Sequence, residues 1–253
     1  MLSAAVLISI ALADFWVGGV YVTGLAIIGT ALMLWEYRRM ILCVLPLHDR
    51  ALWVMIASGA LCVLVTGFVS LTWGVIALLP GILFVARADR SRVAWMVSGL
   101  IYIALAMAFL VELRRDPVQG FPLVLWLVTV VIAADVGGYF AGRAIGGPKL
   151  WPRISPNKTW AGMLGGLVLA VIAGGIFTLS AYVTLPQILL LSGILALASQ
   201  AGDLLESWLK RRCGVKDSSR LIPGHGGLLD RFDGLLGALW AYSVISLSGV
   251  LAG

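Results

Sequence analysis

Residues 185–211 read LPQILLLSGILALASQAGDLLESWLKR. Up to Gly202 the stretch is apolar and suits one bilayer crossing, which takes about 20 such residues; from Asp203 onward it is charged. Continued as one helix through Arg211, it sets Asp203, Glu206, Ser207 and Lys210 at i, i+3, i+4 and i+7, on a single face. The frame this predicts is a set of apolar helices that carries a charged site at one end.

The rest of the chain fits that frame. Of its 253 residues 61% are hydrophobic and 12% charged, against about 25% charged in soluble domains, and no soluble fold hides so much apolar side chain. Apolar runs of membrane length predict about nine spans, at 2–18, 20–36, 51–70, 72–87, 93–111, 120–141, 161–182, 185–202 and 234–252. Met1 to Ala13 lacks the basic start of a secretory signal and reads as the first span. The expected fold class is therefore an all-α integral membrane protein with about nine transmembrane helices and cytoplasmic polar loops. Neither a repeat nor a linker divides it, so 1–253 reads as one polytopic domain, with 1–120 a helical shell and 121–253 the part that carries the polar segments.

Sixteen of the eighteen Lys and Arg residues fall in one set of loops, and only Arg114 and Arg115 fall in the other. The positive-inside rule makes the richer face cytoplasmic. The amino terminus is then inside, the polar segments of the C-terminal half face cytoplasmic solutes, and a cytoplasmic (inner) membrane is the expected location. The same rule accounts for the net charge of +6, which leaves no argument for nucleic acid as a partner. Cys43, Cys62 and Cys213 lack metal-ligand or redox-pair spacing. Gly138 with Gly142, and Gly162 with Gly166, are small-x-x-x-small pairs that suit close helix packing; a homodimer contact through them is left open. Residues 1–120 name no reaction: apart from Asp14, their charges read as helix ends and short loops.

Two polar constellations interrupt the apolar pattern. Asp135 lies inside the run Val130–Phe140, where an ionised carboxylate is costly and a functional role is the default; solvation near the interface is the alternative. Tyr139 and Arg143 follow at spacings of four, on the same helix face. The loop after them combines glycines, Lys149, Arg153 and Lys158, with Ser155, Asn157 and Thr159 just before the next helix, a composition suited to oxyanions and equally to a capped basic loop. The second constellation, 201–234, holds five of the twelve acids and six of the eighteen bases, a mixture suited to metal ions and phosphates together and also to a solvated surface loop.

In order and spacing, Ser207, Lys210, Arg211, Lys216, Asp217, Ser219, Ile222, Pro223, His225, Gly226, Gly227, Asp230, Arg231 and Asp233 resemble the signature of the phosphatidate cytidylyltransferases, also called CDP-diacylglycerol synthases. The resemblance extends to Asp135, Tyr139, Gly142, Arg143 and the run Ser155-Pro156-x-Lys158-Thr159-Trp160. It departs at Ala161, where many family members carry Glu.

What the resemblance implies is metal-dependent transfer of a cytidylyl group from CTP to phosphatidate among membrane lipids, with CDP-diacylglycerol and pyrophosphate as products. It implies Asp203 and Asp230 as metal ligands supported by Asp233 and Glu206, and Mg2+ alone or with a second cation. Lys210, Arg211, Lys216 and Arg231 become phosphate partners, Ser207 and Ser219 phosphate donors, and Gly226 and Gly227 a turn that lets backbone approach a triphosphate. His225 orients a phosphate, moves a proton or holds the turn. Asp135, Tyr139, Arg143, Ser155, Lys158 and Thr159 are the further substrate-binding candidates. On this reading Asp230→Asn abolishes turnover without unfolding the protein. A transporter that uses Asp135 and Asp203 for a coupling ion is the rival class, and it lacks the paired short segments such folds show.

Overall fold

The computed structural model describes residues 18–43, 49–88, 90–177, 184–222, 224 and 226–247. Among them are eight helices: α1 (Val20–Leu42), α2 (Arg50–Phe68), α3 (Leu71–Ala88), α4 (Val93–Arg114), α5 (Gly120–Ala144), α6 (Trp160–Gly175), α7 (Leu185–Arg212) and α8 (Leu229–Leu247). Helices are what apolar runs become in lipid, because each satisfies its own backbone groups there. Six of the eight, α1 to α5 and α7, are long and apolar enough to cross a membrane, and the chain is an integral membrane protein. Apart from Gly18, the expected first span, 2–18, lies outside the described residues, Asp14 included, as do Pro223 and His225.

The expected boundaries shift in two places. Helix α1 continues to Leu42 rather than ending at residue 36, so Glu36 lies inside a helix. Helix α6 has 16 residues, fewer than the 161–182 run predicted. Helix α7 does run through its polar end, to Arg212. The all-helical expectation also meets an exception between α5 and α6. There β1 (Lys149–Trp151) and β2 (Ser155–Thr159) form an antiparallel ribbon, with Lys149 opposite Thr159 and Trp151 opposite Ser155. Pro148, Pro152 and Pro156 deny this segment a helix, and Gly146 and Gly147, at φ 67° and 90°, turn the chain into it.

The described chain falls into two compact units. The first takes the described parts of Met1–Phe121 together with Asp217–Arg231. Its helices α1, α2 and α4 pack on one another, with α3 against α2 and α4. Met33, Leu34, Leu52, Met55, Leu78, Leu100 and Ile103 are fully buried at its centre. Arg38 reaches Asp49 at 2.5 Å, and the Asp49 carboxylate also caps α2 by accepting from the Ala51 amide.

The second unit takes Pro122–Lys216 and the described part of Phe232–Gly253. Buried Trp126 donates to Ser192 Oγ at 3.0 Å and meets the ring of Tyr242 edge-on. Helices α5 and α6 meet along a glycine seam. A methyl group on Gly162 would sit 2.8 Å from the Gly138 carbonyl oxygen, and one on Gly166 would sit 2.5 Å from that of Ala134. The small-residue pairs read from the sequence thus face each other within one chain, which brings Asp135 on α5 to the side of the segment that opens α6.

Candidate active site

In the second unit α5, the ribbon, α6 and α7 line an open-sided cavity of about 500 Å3. Helix α5 lines it with Asp135, Tyr139 and Arg143, β2 with Asn157, Lys158 and Thr159, and α7 with Gln200 and Asp203. The two constellations that the sequence kept apart supply Asp135, Tyr139, Arg143, Lys158, Thr159 and Asp203 to this one space.

The polar contacts follow from local structure. Asp203 stands where α7 changes from apolar to charged, one helical turn before Ser207, whose hydroxyl donates to Asp203 Oδ1 at 3.2 Å. Lys158 Nζ lies 2.5 Å from Asp203 Oδ2, so the ribbon lends a cation to the helix. Thr159 is buried and caps α6, its hydroxyl oxygen accepting from the Gly162 amide at 3.0 Å. Arg143 donates to the Tyr139 hydroxyl at 2.8 Å. Lys210 pairs with Glu206 at 3.2 Å, and both are largely buried. Arg211 donates to the Ile154 carbonyl and to that of Val215, which ties α7 to the ribbon turn. Ser155 is half-buried at the start of β2, and Lys216 is exposed.

Asp233 precedes the apolar part of α8. Burial pushes its carboxyl up to about 6, and the negative charge of Asp203 adds to the rise; Glu206, the Gly234 amide and Lys210 act the other way. Two acids that resist sharing negative charge are a fitting place for a divalent cation, and carboxylate oxygens suit Mg2+. Among the described residues no three His, Cys, Asp or Glu side chains form a ready cage. Mg2+ is commonly held by one or two carboxylates plus substrate phosphates, a demand Asp203 and Asp233 can meet.

A folded-state value above the ordinary 3.8 means that Asp233 favours folding below that pH, and that the gain is lost as pH rises through about 6. Without metal at pH 7 its ionised form opposes folding by about 1–3 kcal/mol. Asp233→Asn is therefore expected to stabilise the EDTA-treated protein at pH 7. It should also remove part of the stability that the unsubstituted protein gains between pH 7 and pH 5. Thermal unfolding at the two pH values checks this, and a variant less stable than its parent at pH 7 would contradict it.

The remaining signature residues belong to the first unit. Asp230 Oδ2 accepts from the Ser218 amide at 2.9 Å, the Ser218 hydroxyl at 2.9 Å and the Gly227 amide at 2.8 Å. The Ile222 amide donates to the Gly226 carbonyl at 2.9 Å, closing the turn. Ser219 is buried and donates to Glu36 Oε1 at 2.5 Å. Arg231 is exposed. A methyl group on Gly227 would collide with Ser218 Oγ and lie 2.6 Å from Glu36 Oε1, so close approach demands glycine there.

Sequence reasoning passed over two residues. Gln200 lines the cavity and donates to the Met163 carbonyl at 3.2 Å; as a polar residue at the end of an apolar run it carried a visible signal. Glu36 sits at the end of a predicted span beside Arg38 and Arg39, where it reads as a flanking charge.

The sequence profile of the cytidylyltransferase family matches residues 1–247. Over 243 residues the chain is 42% identical to the phosphatidate cytidylyltransferase of Brucella suis biovar 1 (strain 1330), covering 94% of this chain and 88% of that protein. It is 39% identical over 189 residues to the enzyme of that name from Haemophilus influenzae, covering 68% and 64% of the two chains. With its counterpart in Bacillus subtilis (strain 168) it shares 42% identity over 148 residues, 58% of this chain and 55% of that one. A match along nearly the whole chain, joined to a polar cavity at the end of apolar helices, shows that this chain belongs to the cytidylyltransferase family and is a nucleotidyltransferase.

Proposed function

We propose that the protein transfers the cytidylyl group of CTP to phosphatidate, giving CDP-diacylglycerol and pyrophosphate, in a metal-dependent reaction at the cytoplasmic face of the inner membrane. The observation that carries this reading is the Lys158–Asp203 pair in the cavity of the second unit, in a chain 42% identical to a phosphatidate cytidylyltransferase. A phosphate oxygen of the lipid attacks the α-phosphorus of CTP. The bond from that phosphorus to the bridging oxygen breaks, and pyrophosphate leaves with the electron pair.

No protein nucleophile enters this scheme, so positioning and charge carry the catalysis. Asp203 and Asp233 would hold Mg2+, with Glu206 in support, and the ion would supply positive charge to the phosphates; Asp230 is the further ligand that the resemblance implies. Lys158 and Arg143 face one phosphate group in the cavity, the Arg side chain as a planar fork. Tyr139 fixes that fork through its hydroxyl, and Asp135 and Gln200 orient the polar end of the substrate. Lys210, Lys216 and Arg231 are phosphate partners, as the resemblance implies. The acyl chains remain in the bilayer, which accounts for a site at the end of apolar helices.

The test is pyrophosphate release by the detergent-purified protein. Release that needs CTP, phosphatidate and Mg2+ together, stops with EDTA and fails with ATP or GTP is the expected result. A folded preparation that releases none with any lipid phosphate would overturn the proposal.

A further inference from the structure

Helix α1 carries an acid that the reaction above does not use. Glu36 is fully buried, at 0% exposure, within an apolar helix. A carboxylate in such a place is costly unless donors surround it, and here they come from the far end of the chain. Oε1 accepts from the Ser219 hydroxyl at 2.5 Å and the Leu228 amide at 2.9 Å. Oε2 accepts from the Leu229 amide at 2.7 Å and lies 3.4 Å from the Ser218 hydroxyl.

Two features make this more than a buried ion. The Leu228 amide stands just before α8 and the Leu229 amide begins it, and the amides at a helix start need an acceptor from outside it. Glu36 therefore acts as the N-terminal cap of α8, supplied from another helix and with the charge sign that a helix start favours. Ser218, whose single hydroxyl proton points to one acceptor at a time, lies between two acids, 2.9 Å from Asp230 and 3.4 Å from Glu36. Asp230 in turn takes the Ser218 and Gly227 amides. The segment from Ser218 to Asp230 is thus folded around two carboxylates joined through one serine, and only one of them belongs to the signature.

We infer that Glu36 is a positioning residue for the reaction: it fixes the 218–230 segment and the start of α8, and through them the placement of Asp230. The inference rests on the proposed role of Asp230 as a metal ligand. It makes Ser219 a strut of the loop.

The test is Glu36→Gln in the full chain in detergent, which keeps shape and removes charge. Hydrogen exchange and turnover are measured side by side. The amides of Leu228 and Leu229 should lose protection about tenfold or more, since hydrogen bonds to charged groups are the stronger kind. Turnover per folded molecule should fall about tenfold or more, and the Mg2+ concentration for half-maximal rate should rise by a similar factor. A purely structural acid would lower the folded fraction and leave turnover and Mg2+ dependence of the folded molecules unchanged, and that result overturns the inference. So does exchange protection that survives the substitution. If E36Q is not recovered folded, Ser219→Ala decides: it removes one donor and should lower turnover about three- to tenfold, whereas unchanged turnover overturns the inference. Absence of CTP- and phosphatidate-dependent release from the unsubstituted protein counts against the proposed function instead, and the exchange arm still judges the anchor.

Discussion

Asparagine in place of Asp203 is expected to lower cytidylyl transfer about 10³-fold, on the scale of removing one preorganised charge from a transition state. The structure gives two reasons for so large a loss. One oxygen of Asp203 lies 2.5 Å from Lys158 and the other accepts from Ser207, so the side chain is oriented from both ends. Its charge also acts on Asp233, so one substitution alters both acids of the proposed Mg2+ site. Stability should change little. The Lys158 side chain is about a quarter exposed, so the ammonium left behind keeps access to solvent, and loss of the Asp203 charge relieves Asp233. Turnover measured beside the thermal midpoint checks both parts. A folded variant that retains a tenth or more of the original rate would remove Asp203 from the reacting site.

Asp230→Asn should behave differently. Read from the sequence alone, it abolishes turnover without touching the fold. The structure adds three hydrogen bonds to a single oxygen of Asp230, from the Ser218 amide and hydroxyl and from the Gly227 amide. An amide oxygen accepts them more weakly than a carboxylate. The expected result is therefore a combined one: turnover falls about 10²- to 10³-fold, and unfolding becomes easier by about 1–2 kcal/mol. Loss of stability alone, with turnover per folded molecule preserved, would make Asp230 an anchor and remove it from the metal set. Loss of turnover alone would mean that the loop holds its shape without the charge. Because Glu36→Gln is expected to loosen the same loop and leave Asp230 intact, the two variants separate placement of the acid from its charge.

The legible and illegible parts of this chain divide by the range of the signal. Apolar runs are local, and helices α1 to α8 fall on the second to ninth of them. The polar end of α7 was legible because Asp203, Glu206, Ser207 and Lys210 recur at helical spacing on an unbroken run. The ribbon before α6 was not. Its prolines and glycines exclude a helix without specifying what replaces it, and the pairing of Lys149 with Thr159 is a tertiary choice. Motif residues told which side chains matter but not what they touch. Thr159 caps α6 and Arg211 holds backbone carbonyls, duties that spacing does not reveal. Glu36 shows the limit most clearly, since its donors lie more than 180 positions away and nothing near it in sequence points to them.

That separation bears on how the protein is made. Helix α1 is complete long before the chain reaches Leu229, and at synthesis rates of about 5–20 residues per second the interval is roughly 10–40 s. Until the chain reaches Ser218 the acid in α1 has none of the four donors that surround it in the finished protein, and it must rely on water. Chains cut short before Leu229 never meet the full set. Completion of the loop is thus also the moment at which helix α1 becomes fully compatible with burial, and an acid without its donors is what distinguishes an unfinished copy from a finished one.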